Sequence, residues 1–469
     1  MSHSRRDFLR GSACALGGMA LASSLESFGL VGALAQSGAA SDYRALVCVF
    51  LNGGNDPNNM LVSLDQLNGP AGSTTTGYNN VRNPAGLGIA PSLLPISPAG
   101  GGSYGLHPSM PEFQTLFGQG RLAVVCNTGP LVEPLTRTTY QNGTGKKPLQ
   151  LFSHSDQVGL WQSAVANSVA QTGWGGRMAD RAGGLNGAAS FPQIITIAGI
   201  SLFVTGVTSR PLAISDSNTT LANVLPLTMT GTDANNSPRR TAFDQIRALD
   251  ANLKLVKAAA DTRSGALSAR TALQSVSPAI STTFPNTTLG RQLLQVARVI
   301  KASTDPLAGL NMKRQIFFCS LGSFDTHSNQ LTGQAALLQQ LSQAMNAFYL
   351  ATGELGLQDK VTTFTLSDFG RTFQPSGAGA GVVGSDHGWG SHHFILGGAV
   401  TGGRLYGAYP TLALNGPDDT DNRGRWIPTT AVEQYAATLA SWYGLSASDF
   451  PAVFPLLDRF PSQNLGFMT

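Results

Sequence analysis

Charge and cysteine are both scarce in this sequence. Asp, Glu, Lys and Arg make up 12 % of the 469 residues, against about a quarter in ordinary globular chains. The 30 basic residues nearly balance the 26 acidic ones, for a net charge of +4. No basic run stands out, so the phosphate-tracking electrostatics of a nucleic-acid binder are missing and nucleic acid is excluded as a partner. Four cysteines in so long a chain exclude a disulfide-stapled scaffold. Cys14 falls in the amino-terminal segment, and Cys48, Cys126 and Cys319 sit in the apolar runs "ALVCVFL", "LAVVCNTG" and "IFFCSLG", where a small hydrophobe suits a buried strand. Histidine is also rare, with seven copies, yet three of them share "SDHGWGSHHFILGG" at 385–398 with Asp386.

What is abundant is glycine (55) and proline (25) within a chain that is still 42 % hydrophobic. That combination describes a large core with many long, ordered connections rather than disorder. The first 35 residues read as an address. Paired Arg5 and Arg6, then Phe8 and Leu9, a weakly apolar Ala/Gly stretch broken by Glu26, and an Ala-x-Ala exit at Ala33 and Ala35 make a twin-arginine signal. The stretch is too short and too glycine-rich for a membrane span. The expectation is a mature chain starting near Gln36, without a membrane span, handed in folded form to the twin-arginine export machinery and located in the bacterial periplasm or secreted.

Continuous apolar runs at 44–51, 121–126, 192–198, 315–321, 361–366 and 393–397 predict strands buried on both faces. Between the fourth and fifth of them lies a helical repeat at 333–352, carried by Leu337, Leu338, Leu341, Met345 and Phe348 and stopped by "GELG". Strand, helix, strand within about fifty residues is a crossover unit of a mostly parallel sheet sandwiched by helices. The fold class is therefore α/β, in one domain over 36–469, with a helical insertion near 240–304.

In such sheets ligands bind beyond the carboxyl ends of the strands, and the polar residues gather there. Asn52 and Asp56 follow the first strand, Asp325 and His327 the fourth, Asp368 and Arg371 the fifth. Asp386, His387, His392 and His393 precede the last, and His154 lies in "FSHSDQ" at a probable helix start. Each alone has a bland reading as a turn former, a cap or a loop histidine. Together, carboxylates and imidazoles from separate strand ends repel and desolvate one another unless a divalent cation reverses the cost. Oxygen and nitrogen ligands without thiolate suit zinc or manganese, or calcium or magnesium where carboxylates dominate.

The motifs "FLNGGNDPNNMLV", "LHPSMPEFQTLFGQGRLAVV", "FSHSDQVGLWQSA", "GWGGRMAD", "GSFDTHSNQ", "SDFGRT", "DHGWGSHHFILGGAV" and "TTAVEQYAATLASWYGL" resemble, over nearly all of the mature chain, the twin-arginine-exported bacterial family catalogued as domain-of-unknown-function 1501. That family is itself similar to the alkaline phosphatase and sulfatase superfamily. The resemblance implies an alkaline-phosphatase-like three-layer α/β/α fold and a metal-assisted ester chemistry. It assigns Asp56 and Asp368 to one metal, and Asp325, His327 and His392 or His393 to another. The superfamily's His after the penultimate Asp is Phe369 here, so either His387, with Asp386, reaches in or a single metal is held. By the same resemblance Ser153, at a helix start, is the nucleophile, with His154 a further ligand or an acid near the leaving group and Ser155 the N-cap. Thr128 is the reserve nucleophile, and Arg371 or Arg177 the clamp on an anionic group. The sequence lacks a Cys-x-Pro-x-Arg or Ser-x-Pro-x-Arg stretch, so formylglycine chemistry is unsupported. "NGGNDPNN" after the first strand does not fit a dinucleotide fingerprint.

Two functions follow as expectations. One is an exported metal-dependent hydrolase of phosphate or sulfate esters, acting on a small or polymeric anionic substrate. The other is a catalytically silent metal-containing envelope protein that binds a polymer or a partner protein.

Overall fold

The computed structural model describes residues 42–189, 191–225, 253–274, 279–305, 310–379 and 381–469, with scattered positions between 238 and 249. The amino-terminal segment read as a twin-arginine signal and part of the expected helical insertion lie outside the described residues. In chain order the strands are β1 (Arg44–Leu51), β2 (Leu61–Ser63), β3 (Leu94–Ile96), β4 (Tyr104–Leu106), β5 (Leu122–Gly129), β6 (Ile194–Thr196), β7 (Leu212–Ala213), β8 (Arg314–Leu321), β9 (Val361–Ser367), β10 (Arg371–Ser376), β11 (Gly384–His387), β12 (Ser391–Leu396), β13 (Leu405–Tyr406) and β14 (Thr430–Ala431). The longer helices are α1 (Pro111–Gly118), α2 (His154–Ser163), α3 (Trp174–Ala182), α4 (Lys254–Gln274), α5 (Thr288–Thr304), α6 (Gln330–Glu354) and α7 (Val432–Tyr443).

Nine strands form the central sheet in the order β13-β5-β12-β9-β1-β8-β6-β7, with β14 also on β5. All its pairings are parallel except those of β12, which runs antiparallel to both β5 and β9. The six apolar runs of the sequence are six of these strands. Every residue of β9, and all of β1 but Arg44, is buried, because helices cover both faces. Alternation along β1 sends Leu46, Cys48 and Phe50 into one core with Trp161, Trp174, Val432, Tyr435 and Leu439, drawn from α2, α3 and α7. On β12, Ile395 joins that core, while its neighbour Phe394 packs edge-on against Phe113 of α1 at 4.7 Å. Each such fully buried aliphatic or aromatic side chain contributes about 1.5–3 kcal/mol.

Helix α5 lies within the region read as an insertion, but it is built into the layer itself. Thr287 caps it by accepting from the Gly290 amide, and Leu289, Leu293, Val296, Val299 and Ile300 are buried. Gln292 locks it to β8 by exchanging hydrogen bonds with the Ser320 amide and carbonyl. The chain from Arg44 to Thr469 is one compact unit. Among the described residues no helix is long and apolar enough to cross a membrane, and Cys48, Cys126 and Cys319 are buried free thiols.

The antiparallel strand matters for the site. Parallel strands end at one rim, and a strand running against them begins there, so the residues leading into β12 arrive at the same rim as those leaving β1, β8 and β9.

Candidate metal centre

Four segments meet at that rim because glycines let them. After β1, Gly53 (φ +113°) and Gly54 (φ +82°) occupy the left-handed region. A Cβ on Gly53 would lie 2.5 Å from the Asp325 amide nitrogen, and one on Gly54 would lie 2.4 Å from the Phe369 ring. This close approach brings the loops after β8 and β9 against the end of β1. The Gly53 amide donates to Asp368 Oδ1 at 3.0 Å, and the Asn52 carbonyl accepts from the Phe324 amide. The β10–β11 hairpin then pairs Arg371 with His387, and α2 enters with His154 as its first residue.

The result is a set of three imidazoles around one carboxylate oxygen. Asp325 Oδ1 lies 3.0 Å from His327 Nε2, 3.5 Å from His154 Nε2 and 3.6 Å from His387 Nε2. Ligand atoms of His154, Asp325 and His387 all fall within 4.8 Å of one another. The opposite nitrogen of each ring faces an acceptor: His154 Nδ1 donates to Asp368 Oδ2 at 2.8 Å, His327 Nδ1 to Asp386 Oδ1 at 3.1 Å, and His387 Nδ1 to the Phe152 carbonyl at 2.8 Å. A neutral imidazole with its proton on Nδ1 turns its Nε2 lone pair inward. Three lone pairs therefore converge on a carboxylate, with His327 Nε2 and His387 Nε2 only 3.0 Å apart. His154 Nε2 is buried and makes no hydrogen bond. Lone pairs so arranged repel unless a cation lies between them, and the donor set, three nitrogens and an oxygen oriented by outer carboxylates and a carbonyl, fits a divalent metal.

The surroundings set the charge. Burial pushes the Asp325 carboxyl up, but the hydrogen bond and charge of Arg371, helped by the neighbouring His327 and His154, outweigh it and hold the group below the usual carboxylate range. Arg371 is buried and donates to Asp325 Oδ1 at 2.7 Å. Burial likewise opposes Asp386, which Arg423 and His327 together keep low. Asp368, sealed beneath the cluster, is raised by burial despite the His154 and Gly53 hydrogen bonds. Burial lowers His387, and the nearby Arg371, His154 and His327 lower it further against the Phe152 carbonyl.

Of the residues expected to hold metal, Asp325, His327 and His387 come together, and His154 lies in the same cluster. Asp368 and Asp386 stand behind, each spending an oxygen on an imidazole N–H. Others are used differently. Asp56 lies elsewhere, in a fully buried pair with Arg82 at 2.6 Å, and it also accepts from Gln330 and from the amide and side chain of Asn58. So supplied with donors, its carboxylate is a structural hub rather than a ligand. His392 and His393 are buried within β12 itself. His392 Nδ1 accepts from the Asn127 amide, His393 lies edge-on to Trp161 at 4.6 Å, and burial depresses them to about 4 and about 3. Asp56, His392 and His393 are thus engaged with partners of their own, apart from the cluster around Asp325.

Arg371 holds Asp325 and backbone carbonyls rather than reaching outward, and Arg177 is spent on the carbonyls of Val453, Thr172 and Ser163. Ser153, not Ser155, occupies the N-cap position, though its side chain caps nothing and donates instead to Asp156. Asn52 is exposed, and its backbone closes the β1 end onto Leu321 and Phe324. Thr128 is buried. Phe369 lies 4.7 Å from both the His154 and His387 rings, forming an apolar wall. Arg82, Gln330, Arg423 and the Phe152 carbonyl leave no local mark in the sequence, because each acts through a partner more than twenty residues away.

The sequence matches the family described as "Protein of unknown function (DUF1501)" over residues 43–422. The chain belongs to the DUF1501 family. No curated protein matches this DUF1501 chain. Among solved structures it is similar to the lipoteichoic acid synthase LtaP from Listeria monocytogenes (8 % identity, TM-score 0.31, covering 92 % of this chain and 76 % of that one). It is similar also to the sulfatase PsFucS1 from Pseudoalteromonas sp. (9 %, 0.32, 89 % and 70 %) and to the zinc-complexed C-terminal periplasmic domain of EptC from Escherichia coli (9 %, 0.35, 88 % and 85 %).

Proposed function

We propose that this DUF1501 protein is an exported, metal-dependent hydrolase of phosphate or sulfate esters. The observation that carries the reading is the convergence of three imidazole lone pairs on Asp325 Oδ1, each ring fixed from behind. His154, Asp325, His327 and His387 would hold one divalent cation, zinc or manganese by their chemistry. When bound, such a cation acts as a Lewis acid toward an ester oxygen or water. The ligand side chains are a quarter to nearly half exposed while Asp368 and Arg371 beneath are sealed, so the centre is open on one side to a substrate. Arg423 and Arg425 stand at its edge beside Asp386 and His387, adding positive potential that favours an anionic ester. Ser153, next to ligand His154, is the candidate nucleophile, its hydroxyl proton already directed at Asp156.

That same Ser153–Asp156 bond, together with Phe369 in place of a nitrogen ligand, favours the second reading, a catalytically silent metal protein of the envelope. Elemental analysis of protein taken through its own export route, followed by assays on aryl phosphates, phosphodiesters and sulfate esters, decides between them. About one equivalent of metal with ester turnover lost in His327→Ala supports the hydrolase. Metal without turnover on any ester supports the silent protein, and metal-free protein removes both.

A further inference from the structure

We propose that Phe152 and Arg425 form a clamp that positions His387, fixing its tautomer and the aim of its Nε2. The clamp serves the cation site argued above and rests on that reading for its purpose, though not for its geometry. His154 and His327 are each oriented by a carboxylate, whereas His387 has only the neutral Phe152 carbonyl at 2.8 Å. A carbonyl is the weaker acceptor for an imidazole N–H, so the ring depends on how firmly that carbonyl is held.

The chain holds it in an unusual way. Phe152 has φ +70°, a region bulky side chains avoid and in which each residue costs about 1–3 kcal/mol. Its neighbour two positions back, Gln150, is also left-handed at φ +44°. Something must over-determine this conformation. The Phe152 side chain packs against the cluster of Leu131, Val132, Trp389 and Ile427, and the Arg425 guanidinium lies 4.3 Å above its ring. Arg425 Nε also donates to the His387 carbonyl at 2.9 Å, so one side chain grips both members of the His387–Phe152 pair. Asp421 Oδ2 steadies the same guanidinium at 3.3 Å. The loop carrying both residues is pinned in turn by Arg137, which donates to the Asp419 and Asp421 carbonyls at 2.8 Å. Neither Phe152 nor Arg425 offers a ligand atom to the cluster. They act through His387.

The test uses the full chain as wild type and as Arg425→Ala, Phe152→Ala and Phe152→Tyr, each checked for folding by near-ultraviolet circular dichroism. Nitrogen-15 spectra of the histidine rings in metal-free protein report the His387 tautomer, and titration with Co²⁺ reports affinity. The clamp predicts a single Nδ1–H tautomer in wild type and Phe152→Tyr, and mixed tautomers in both alanine variants. It also predicts Co²⁺ binding about 10–100-fold weaker in the alanine variants, the range usual for outer partners of a ligand histidine. The double alanine variant should bind no more weakly than the worse single one, because the two residues act as a unit. Folded alanine variants that keep the single tautomer and bind Co²⁺ within twofold of wild type overturn the clamp. Wild type that binds no Co²⁺ removes the cation reading instead, while loss of the tautomer in Arg425→Ala would still uphold the clamp.

Discussion

Asp325 Oδ1 is approached by four nitrogens, from Arg371 and from three imidazoles. Asp325→Asn keeps the shape and removes the charge. Metal content after dialysis, read by elemental analysis, should then fall from about one equivalent to a small fraction of one, and retention of the full equivalent would show that the ligand set is wrong. Glu433, in the first turn of α7, is a different case. It is fully buried, and neither oxygen has a hydrogen-bond partner in another residue. Burial pushes its carboxyl up to about 8, with its own backbone amide and then the charges of Arg177 and Arg459 only partly offsetting this. A folded-state value above the unfolded one means that the native state holds the proton more tightly, so stability is fullest below the unfolded value near 4.5 and falls as pH rises through 8. Glu433→Gln should therefore gain stability over wild type progressively across that window, by roughly 3 kcal/mol at pH 7 from the linkage relation. Parallel urea titrations at pH 5 and pH 8 would show it, and an equal difference at both would contradict the assignment.

At the scale of elements, the sheet was readable and the contents of its rim less so. Unbroken apolar runs mark strands buried on both faces, and the six runs are strands in the fold. The boundary of β12 is where sequence and structure part. The apolar run begins at His393, but the strand begins at Ser391, and those two residues carry His392 and His393 from the rim into the sheet. An imidazole in a core looks like a loop imidazole in one-letter code, because what decides its place is a distant donor such as the Asn127 amide. The loops that meet were legible from strand-end topology. The division of labour among their carboxylates, with Asp325 facing inward and Asp368 and Asp386 standing behind, depends on distances that spacing does not encode. The glycine pair after β1 makes this meeting sterically feasible. Gly53→Ala adds a side chain at φ +113° against the Asp325 backbone, so it should cost at least about 1–2 kcal/mol and weaken metal binding as well. A calorimetric scan of the metal-free and metal-loaded forms tests both, and an unchanged melting temperature in each form would show that the loops can separate without loss.

For the whole molecule, acid sets one limit. His107, His392 and His393 are buried and depressed to about 4, about 4 and about 3. Their folded-state values lie below the unfolded value near 6.5, so their burial costs nothing above that pH and an increasing amount as pH falls toward 3. Unfolding should therefore set in below about pH 5, and His393→Phe should move the midpoint of an acid titration followed by tryptophan fluorescence to lower pH. A midpoint unchanged in that variant would place the acid sensitivity elsewhere. Export is the other whole-molecule question. If Arg5 and Arg6 belong to an export signal, replacing both by lysine should strand the protein on the cytoplasmic side, and cell fractionation with amino-terminal sequencing, Gln36 being the start expected of an exported form, reads the outcome.

Among the described residues, strand β5 has sheet partners only in β12, β13 and β14, all of which lie more than two hundred and fifty residues downstream. During synthesis this apolar ribbon leaves the ribosome long before anything exists for it to pair with. Pairing at such long range is slow, and meanwhile the exposed edge invites other chains. The newborn polypeptide therefore needs shelter until its final sixth emerges, and a ribosome that stalls before Ser391 releases a product prone to clump.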